Sequence, residues 1–524
     1  MFHFVNGMPR GRVWALWIAV LGYSISGSAC GGNLIPSSDD RGVLRADIET
    51  SPISLDPRYA TDAISSRIDE LIFDSLLKLD QHQVYTGDLA ESIEWPSGTL
   101  IVFHLRGGLK FSTGVPLTAH DVKFTYDSLL DPATRSPKTA GFAQLASVEA
   151  PDDATVVFRL RQTYAPALEM ALLGIVPNGC RVAGFAPTTI IGSGPFRLLS
   201  FARDERLLLA RNPYRSSPIG SALKIDFKIV PDPTVRALEL AKGTTDLAQN
   251  NIEPDVLKYL QARPGLTIAS TPGSGYQYIA FNFRDPRLRD LRVRQAVALA
   301  IDRQAIISSI LRGTAREATG MLSPESWAYN PAVRPWPYDP ALARRLLDLA
   351  GYRSRGGSPR MVLTYNTTPE GRRLGEILQA MLATVGIRLE IRTSEFATFY
   401  ADIQRGNFDL ASFRWIGITD PNHYYMIFDS KMTPPKGLNR GAYANPAMDR
   451  LLEAGQLTID RQKRRLIYYA VQRLAAADLP YVSLWWLDNV TVLNDRIQGF
   501  EPYPNGSLRS FASLRLLAEP VRSN

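Results

Sequence analysis

One short segment, residues 408–421, holds the side chains of this chain that are best suited to contact a small molecule. Its sequence is FDLASFRWIGITDP, in which an apolar strand is followed by a loop ending at Asp420-Pro421. Ligands of open α/β sheets collect at the ends of strands, so Trp415, Arg414 and Gly417 are candidate contacts. A ring stacked on a ligand contributes about 1 kcal/mol beyond the area it buries. The alternative for Trp415 is a core position, as for most aromatic residues of such domains.

Catalytic chemistry has little support in the sequence. There is no H-E-x-x-H pair and no G-x-S-x-G elbow, and Ser193 lies in a Gly-Ser-Gly-Pro segment that indicates a turn. The histidines do not have the spacing of metal ligands: His3, His82, His104, His120 and His423. We therefore expect no enzyme, no bound metal and no cofactor, and His423, close to the loop, is the histidine to test.

Length and charge narrow the class of protein further. A chain of 524 residues is too long for a single hydrophobic core, so two or three domains are expected. The net charge of +8 is modest for this size, and without a Lys/Arg run we expect no nucleic-acid partner. The two cysteines, Cys30 and Cys180, exclude a disulfide framework.

The spacing of apolar residues alternates between that of strands and that of helices in the segments that must position the loop after Trp415. Residues 361–392 predict a strand, a helix and a second strand, which is a βαβ-type lobe. Residues 276–303 predict a buried strand followed by two helices, with Asp290 and Asp302 at their N-caps. Both patterns are typical of an α/β fold.

The first 30 residues have the organisation of an export signal. Two arginines precede an apolar run of about ten residues, and the small residues Gly27-Ser28-Ala29 precede Cys30. This end resembles a bacterial lipobox, in which the cysteine is lipidated and starts the mature chain. The alternative is an ordinary signal peptide cleaved near Ala29. Either way, we expect the mature protein outside the cytoplasmic membrane.

Several longer motifs together carry a resemblance to a known family. Residues 103–122 have the sequence FHLRGGLKFSTGVPLTAHDV, residues 289–303 contain DLRVRQAVALAIDR, and residues 338–352 are YDPALARRLLDLAGY. With the SLDP segment at residues 54–57, they resemble the peptide- and nickel-binding family of ABC-transporter solute receptors (solute-binding family 5). The resemblance covers roughly residues 44–517.

The resemblance implies both a fold and a function. The fold is the two-lobed periplasmic-binding-protein fold, type II and of the three-domain class, with mixed sheets and a hinged cleft. The function is the extracytoplasmic substrate-binding component of an ABC importer, which closes on a peptide-like or other small solute and delivers it to a membrane permease. We expect a monomer in the periplasm or on the outer face of the cytoplasmic membrane, anchored through Cys30. The alternatives are a nickel-chelate or oligosaccharide receptor of the same family and, from another class, an extracytoplasmic hydrolase.

The resemblance also implies which residues contact the ligand. The family's loop after the first strand lines the cleft, which points to Ser51 and Ile53. In these receptors a tryptophan at the position of Trp415 packs on the ligand, and an aromatic residue at the position of Phe396 lies against it. Tyr276 is a further candidate from the strand that enters the second lobe.

One position departs from the peptide receptors. They carry an aspartate three places after the tryptophan, which pairs with the free amine of the ligand, and here that place is Ile418, a further candidate contact. An α-ammonium buried without a carboxylate loses its charge partner, which is costly. The shorter W-x-x-x-x-D-P spacing suits non-peptide members, and we expect Asp420 to cap the next helix instead of meeting a cation.

Domain boundaries follow from the same comparison of motifs. We predict a first lobe made of domain I and domain II, a second lobe that is domain III, and a hinge where the chain crosses near residues 273–276 and 483–487. A strand is predicted over residues 475–487, with Trp485 and Trp486 bordering the cleft. The predicted segments are a signal peptide (1–29), a lipidated tether (30–42), domain I (43–60, 186–275 and 487–524), domain II (61–185) and domain III (276–486).

Overall fold

The computed structural model describes residues 42–180, 188–215, 220–353 and 358–517, and the following account concerns this part of the chain. The predicted export signal and Cys30 lie outside the described residues. Within the described residues, no helix combines the length and the apolar character needed to cross a bilayer.

The strands are short except for two long ones in the second half of the chain. In order they are β1 (Val43–Ile48), β2 (Leu77–Leu79), β3 (Tyr85–Gly87), β4 (Ala90–Ser97), β5 (Leu100–Leu105), β6 (Leu145–Glu149), β7 (Thr155–Leu160), β8 (Phe196–Ala202), β9 (Arg206–Arg211), β10 (Lys224–Ile229), β11 (Leu247–Gln249), β12 (Leu266–Phe281), β13 (Ala315–Glu317), β14 (Met361–Thr367), β15 (Ile387–Thr393), β16 (Leu410–Trp415), β17 (Tyr481–Asn494), β18 (Ile497–Gln498) and β19 (Arg515–Leu516).

The helices lie between these strands, most of them in the second lobe. They are α1 (Ala63–Ile72), α2 (Ala119–Leu130), α3 (Ala167–Met170), α4 (Pro233–Lys242), α5 (Pro254–Gln261), α6 (Pro286–Arg289), α7 (Leu291–Leu299), α8 (Arg303–Ser309), α9 (Pro340–Leu349), α10 (Arg372–Ala383), α11 (Phe396–Arg405), α12 (His423–Phe428), α13 (Pro446–Leu457) and α14 (Arg461–Asp478). The mixture of helices with parallel and antiparallel strands confirms the predicted α/β class.

The long strands β12 and β17 join the two lobes. They run antiparallel in the middle of a sheet ordered β15-β14-β16-β12-β17-β11-β1-β10-β9-β8, with β13 on the side of β17. Their register shifts between Thr271 and Gly275, next to the pair Gly275 and Leu487. The two predicted chain crossings lie on this pair, and an irregular ladder is a place where a sheet can bend. The hinge itself stays a prediction.

The second lobe contains the predicted βαβ unit. β14 pairs in parallel with both β15 and β16, and α10 connects β14 to β15. Fully buried residues on the two faces of this sheet form two cores, one around Leu363 and Val297 and the other around Tyr278 and Phe399. The parallel strands β14 and β16 therefore end at the same edge, next to both cores.

The first lobe has two further cores. One packs around Leu44, Phe196 and Phe227, where β1, β10 and β8 belong to the large sheet. The other packs around the separate sheet β4-β5-β7-β6. The predicted alternation in residues 101–105 is confirmed, since Ile101, Phe103 and Leu105 are buried. These cores support the proposed domain boundaries, which remain a proposal.

Helix starts follow the local signals closely. Thr118 forms a capping box with Asp121 at the start of α2, and Asp290, Asp302 and Asp339 cap α7, α8 and α9 through their carboxylates. A helix cap depends on residues within one helical turn, and for this reason the sequence alone was sufficient to predict where these helices start.

The predicted strand over residues 475–487 is wrong in its first part. Residues 475–478 are the last turn of α14, and β17 begins only at Tyr481, after Leu479 ends the helix in the left-handed conformation. Trp485 and Trp486 do not border the cleft. They are 4% and 2% exposed and belong to the two cores of the second lobe, because β17 is covered on both faces.

Candidate ligand-binding site

A cavity of about 930 Å³ lies between the two lobes, at the upper end of the range for small-molecule sites. The second lobe contributes the carboxyl ends of β14 and β16 and the starts of α10 and α11. The first lobe contributes α1, β2 and residues 505–509. The position matches the rule that ligands bind beyond the carboxyl ends of parallel strands.

Trp415 lines this cavity at the end of β16. Its ring stacks on Tyr278 with 6.1 Å between centroids, and His423 packs edge-on against it at 4.7 Å. Arg440 covers the ring with its guanidinium carbon 5.2 Å from the centroid. These neighbours hold the indole in one orientation, as a preorganised binding surface requires.

Phe396 also lines the cavity, as the first residue of α11. It is 61% exposed and stacks on Tyr400 with 5.9 Å between centroids. An exposed phenylalanine beside an open cavity gains little from folding, so its apolar face is available to a ligand.

Arg440 was not found from the sequence. Its guanidinium lies over three rings, at 5.0 Å from Tyr400, 4.8 Å from Phe413 and 5.2 Å from Trp415, and it donates to the Tyr400 hydroxyl at 3.3 Å. The side chain is 6% exposed and lines the cavity. No periodicity or motif marks this arginine, because the contacted rings come from α11 and β16, distant in the chain.

Arg414 and Gly417, which were predicted as candidate ligand contacts, line the cavity. Strand alternation places Arg414 on the face of β16 opposite Trp415, the face on which Gln277 donates to Ser412 at 2.7 Å. Arg414 is exposed and lines the cavity. Partial desolvation in the cleft, followed by the charge of Arg67, lowers the pKa of its guanidinium. Gly417 has φ of +71°, a conformation that costs a residue with a side chain.

Four predicted residues do not line the cavity: Tyr276, Ile418, Ser51 and Ile53. Tyr276 is 2% exposed, bonds Ser483 through its hydroxyl at 2.7 Å, and faces a separate cavity of about 30 Å³. Ile418 packs against the core around Tyr278. Ser51 is buried and exchanges two hydrogen bonds with Asp204, and Ile53 is 61% exposed to solvent elsewhere.

His423 lies behind Trp415, outside the residues that line the cavity. Burial, followed by the charge of Arg440, lowers its pKa to about 4. The imidazole is therefore neutral at pH 7 and supports the Trp415 ring. It is not placed to meet a chelate in the cavity.

The prediction for Asp420 is wrong. Its carboxylate accepts from the N–H of Asn422, close to the start of α12, but its main partner is a buried cation. Arg464 donates two hydrogen bonds to it, at 2.7 and 2.5 Å, and both side chains are at most 5% exposed. The partner lies on α14, so no local pattern could have revealed it.

A second missed feature lies beside this ion pair, at a contact between the lobes. The hydroxyl of Thr419 donates to Glu169 of α3 at 2.5 Å, and the N–H of Ala165 donates to the carbonyl of Gln456 at 2.7 Å. Burial raises the pKa of Glu169 to about 8, and the charge of Asp420 adds to this. Glu169 is therefore mostly protonated at neutral pH while it contacts the loop that follows Trp415.

Two α/β lobes, joined by a pair of crossing strands around a ligand-sized cavity with aromatic walls, define a receptor for a small solute. The family of bacterial extracellular solute-binding proteins, family 5, matches residues 84–434, and the chain belongs to this family. The matched family and the structural neighbours are substrate-binding proteins.

Relatives and solved structures agree with this assignment. An ABC transporter peptide-binding protein of Brucella ovis is 29% identical, over 82% of this chain and 84% of that protein. The oligopeptide-binding protein AppA of Bacillus subtilis, solved with a nonapeptide, is 25% identical in structural alignment, with a TM-score of 0.79 over 91% of this chain and 99% of AppA. NikA of Brucella suis, solved with Fe(III)-EDTA, shares the fold at 24% identity, with a TM-score of 0.83 over 90% of this chain and 99% of NikA. The predicted two-lobed fold and the predicted role as the substrate-binding component of an ABC importer are confirmed.

Proposed function

We propose that this protein binds a peptide-like or other small solute in the cavity between its lobes, closes on it, and delivers it to a membrane permease. The observation that carries the proposal is the 930 Å³ cavity at the ends of β14 and β16, with Trp415 and Phe396 in its wall. The peptide-binding relatives favour a peptide-like ligand.

Thermal denaturation of the mature chain with peptides, nickel complexes and oligosaccharides tests this function. A ligand at a hundred times its Kd stabilises by about 2.7 kcal/mol. If no class stabilises the protein, the proposal fails.

Phe396 is the cleanest probe of the proposed site. We expect Phe396→Ala to weaken binding of the stabilising ligand by about 5- to 30-fold, because a lost ring contact costs about 1–2 kcal/mol. Stability without ligand should be unchanged, since the ring is 61% exposed. Calorimetric titration measures the Kd, and Tyr338→Ala, at an aromatic residue that is 49% exposed outside the cavity, is the control. An unchanged Kd in Phe396→Ala would exclude the ring from the site.

We propose further that Cys30 is lipidated, that the protein is a monomer, and that it is held at the outer face of the cytoplasmic membrane or in the periplasm. The residue types of the first 30 positions support the anchor. In cells that express the full chain, Cys30→Ser is expected to move the protein from the membrane fraction to the soluble fraction. Mass spectrometry of the unaltered protein should show acyl chains on its N-terminal peptide. Equal membrane fractions for both forms would contradict lipidation and favour an ordinary signal peptide.

A further inference from the structure

The charges that line the cavity are unbalanced. Five cationic side chains face three carboxylates, and they come from both lobes: Arg67, Lys78, Arg414, Arg440 and Arg509 against Asp62, Glu70 and Glu370. Most of these groups have partners within the protein, so the excess must be located residue by residue.

Three of the five cations are accounted for. Lys78 and Arg509 both contact Asp88, at 3.2 and 3.5 Å. Arg440 lies over aromatic rings and bonds the Tyr400 hydroxyl. Each of these groups has a structural role without any ligand.

Two of the three carboxylates are also engaged. Asp62 caps α1 by accepting from the N–H of Ser65 at 2.8 Å. Glu70 accepts from the Ser507 hydroxyl and lies 4.0 Å from Arg509. The third, Glu370, is exposed at the start of α10.

Arg67 and Arg414 are different. Among the described residues, neither guanidinium makes a hydrogen bond or an ion pair within 4 Å, although both line the cavity. Arg67 is on α1 of the first lobe and Arg414 on β16 of the second. Desolvation and, after it, the charge of Arg67 lower the pKa of Arg414. Glu49 is the carboxylate whose charge acts on both arginines, and it lies beyond ion-pair distance.

Two cations that approach from opposite lobes oppose closure of the cleft. Bringing like charges together in a partly desolvated site is costly unless an anion lies between them. A guanidinium presents paired N–H donors that match a carboxylate, so an anionic group on the solute would turn this repulsion into attraction. In the loop after Trp415, by contrast, Ile418 offers no carboxylate to an ammonium group, and the carboxylate of Asp420 is already paired with Arg464.

We infer that Arg67 and Arg414 together bind a carboxylate of the solute, and that this protein selects its ligand by an anionic group and not by a free amine. This inference rests on the proposed function and specifies its substrate class. The carboxylate can belong to a peptide C-terminus or to a non-peptide acid, since both present the same group to the two guanidiniums.

The test compares probes that differ in one charge. Thermal denaturation of the mature chain is followed with a tripeptide library as free acid, the same library amidated at its C-terminus, the same library acetylated at its N-terminus, and citrate as a non-peptide acid. We expect the acetylated library to stabilise as well as the free acid, and the amidated library to stabilise far less. Stabilisation by citrate alone supports the two-arginine site and assigns it to non-peptide acids.

Variants then identify the residues. Arg67→Gln and Arg414→Gln are each expected to weaken binding of the stabilising acid about ten- to a hundredfold, the loss of a charged hydrogen bond. Neither should lower the Tm without ligand, because each relieves a repulsion. Arg197→Gln, an exposed arginine of β8 outside the cavity, is the matched control and should bind as the unaltered protein does.

The remaining outcomes overturn the inference. If the free-acid and amidated libraries both stabilise the protein to the same extent, or if both arginine variants keep the original affinity, the inference fails and the proposed function stands. If no carboxylate probe stabilises the protein, the inference also fails. The proposed function fails with it only when peptides, nickel complexes and oligosaccharides have no effect either.

Discussion

Replacing Arg464 by methionine is expected to lower the free energy of unfolding by about 3–5 kcal/mol. Arg464 donates two hydrogen bonds to Asp420 and one, at 2.8 Å, to the carbonyl of Gly455, and it is 5% exposed. Its removal leaves the Asp420 carboxylate buried without a cation, beside the buried Glu169. Removing one partner of a buried pair costs more than the pair contributes net, because the remaining charge has been taken out of water.

The control for this variant is on the same helix. Lys463 is exposed, one position before Arg464, so Lys463→Met changes the same type of charge without uncovering a buried partner. Urea unfolding followed by tryptophan fluorescence measures both variants. A loss below about 1 kcal/mol for Arg464→Met would show that the loop after Trp415 does not depend on this ion pair.

Raising the pH from 6 to 9 is expected to weaken the contact between the lobes. The pKa of Glu169 is raised to about 8 in the folded protein, from an ordinary value of 4.5, first by burial and then by Asp420. The protonated form is therefore the one that suits the closed contact. The contribution of Glu169 to stability is greatest below pH 4.5 and falls by up to about 1.4 kcal/mol per pH unit as the pH rises toward 8, above which this contribution is lost.

When Glu169 ionises, separating the two lobes requires less free energy than unfolding either lobe. Glu169 lies in the first lobe and its partner Thr419 in the second, so separating the lobes returns the carboxylate to water without unfolding either one. The charged and titratable groups around Glu169 are Asp420, Arg464 and the hydroxyls of Tyr164 and Tyr85. Small-angle scattering should show a larger radius of gyration at pH 9 than at pH 6 in the absence of ligand.

Glu169→Gln separates this effect from general pH sensitivity. Glutamine is neutral at every pH and can still accept from Thr419, so the variant should keep the small radius at pH 9. Glu91→Gln, at an exposed carboxylate of the same lobe, should behave as the unaltered protein does. The role of Glu169 is contradicted if Glu169→Gln expands with pH as much as the control.

Local patterns determined much of this molecule. Asp290, Asp302 and Asp339 were placed correctly as helix caps, and the buried face of β5 was correct, because caps and strand alternation depend on residues a few positions apart. The family motifs extended this to the two-lobed fold and predicted Trp415 and Phe396 as ligand contacts, and the position at a strand end added Arg414 and Gly417. All four residues line the cavity. Ser51 and Ile53, predicted from the same motifs, lie outside the residues that line this cavity.

Only the tertiary structure shows which residues distant in the chain interact with one another. Asp420 was expected to cap a helix, but it forms an ion pair with Arg464 on α14. Arg440 is positioned by aromatic rings from α11 and β16. Glu169 accepts a hydrogen bond from Thr419 of the opposite lobe. Arg67 and Arg414 face one cavity although they are far apart in the chain. The burial of a side chain, the shift of its pKa and the balance of charge around it depend on the distances between groups that folding brings together. The sequence by itself does not contain these distances.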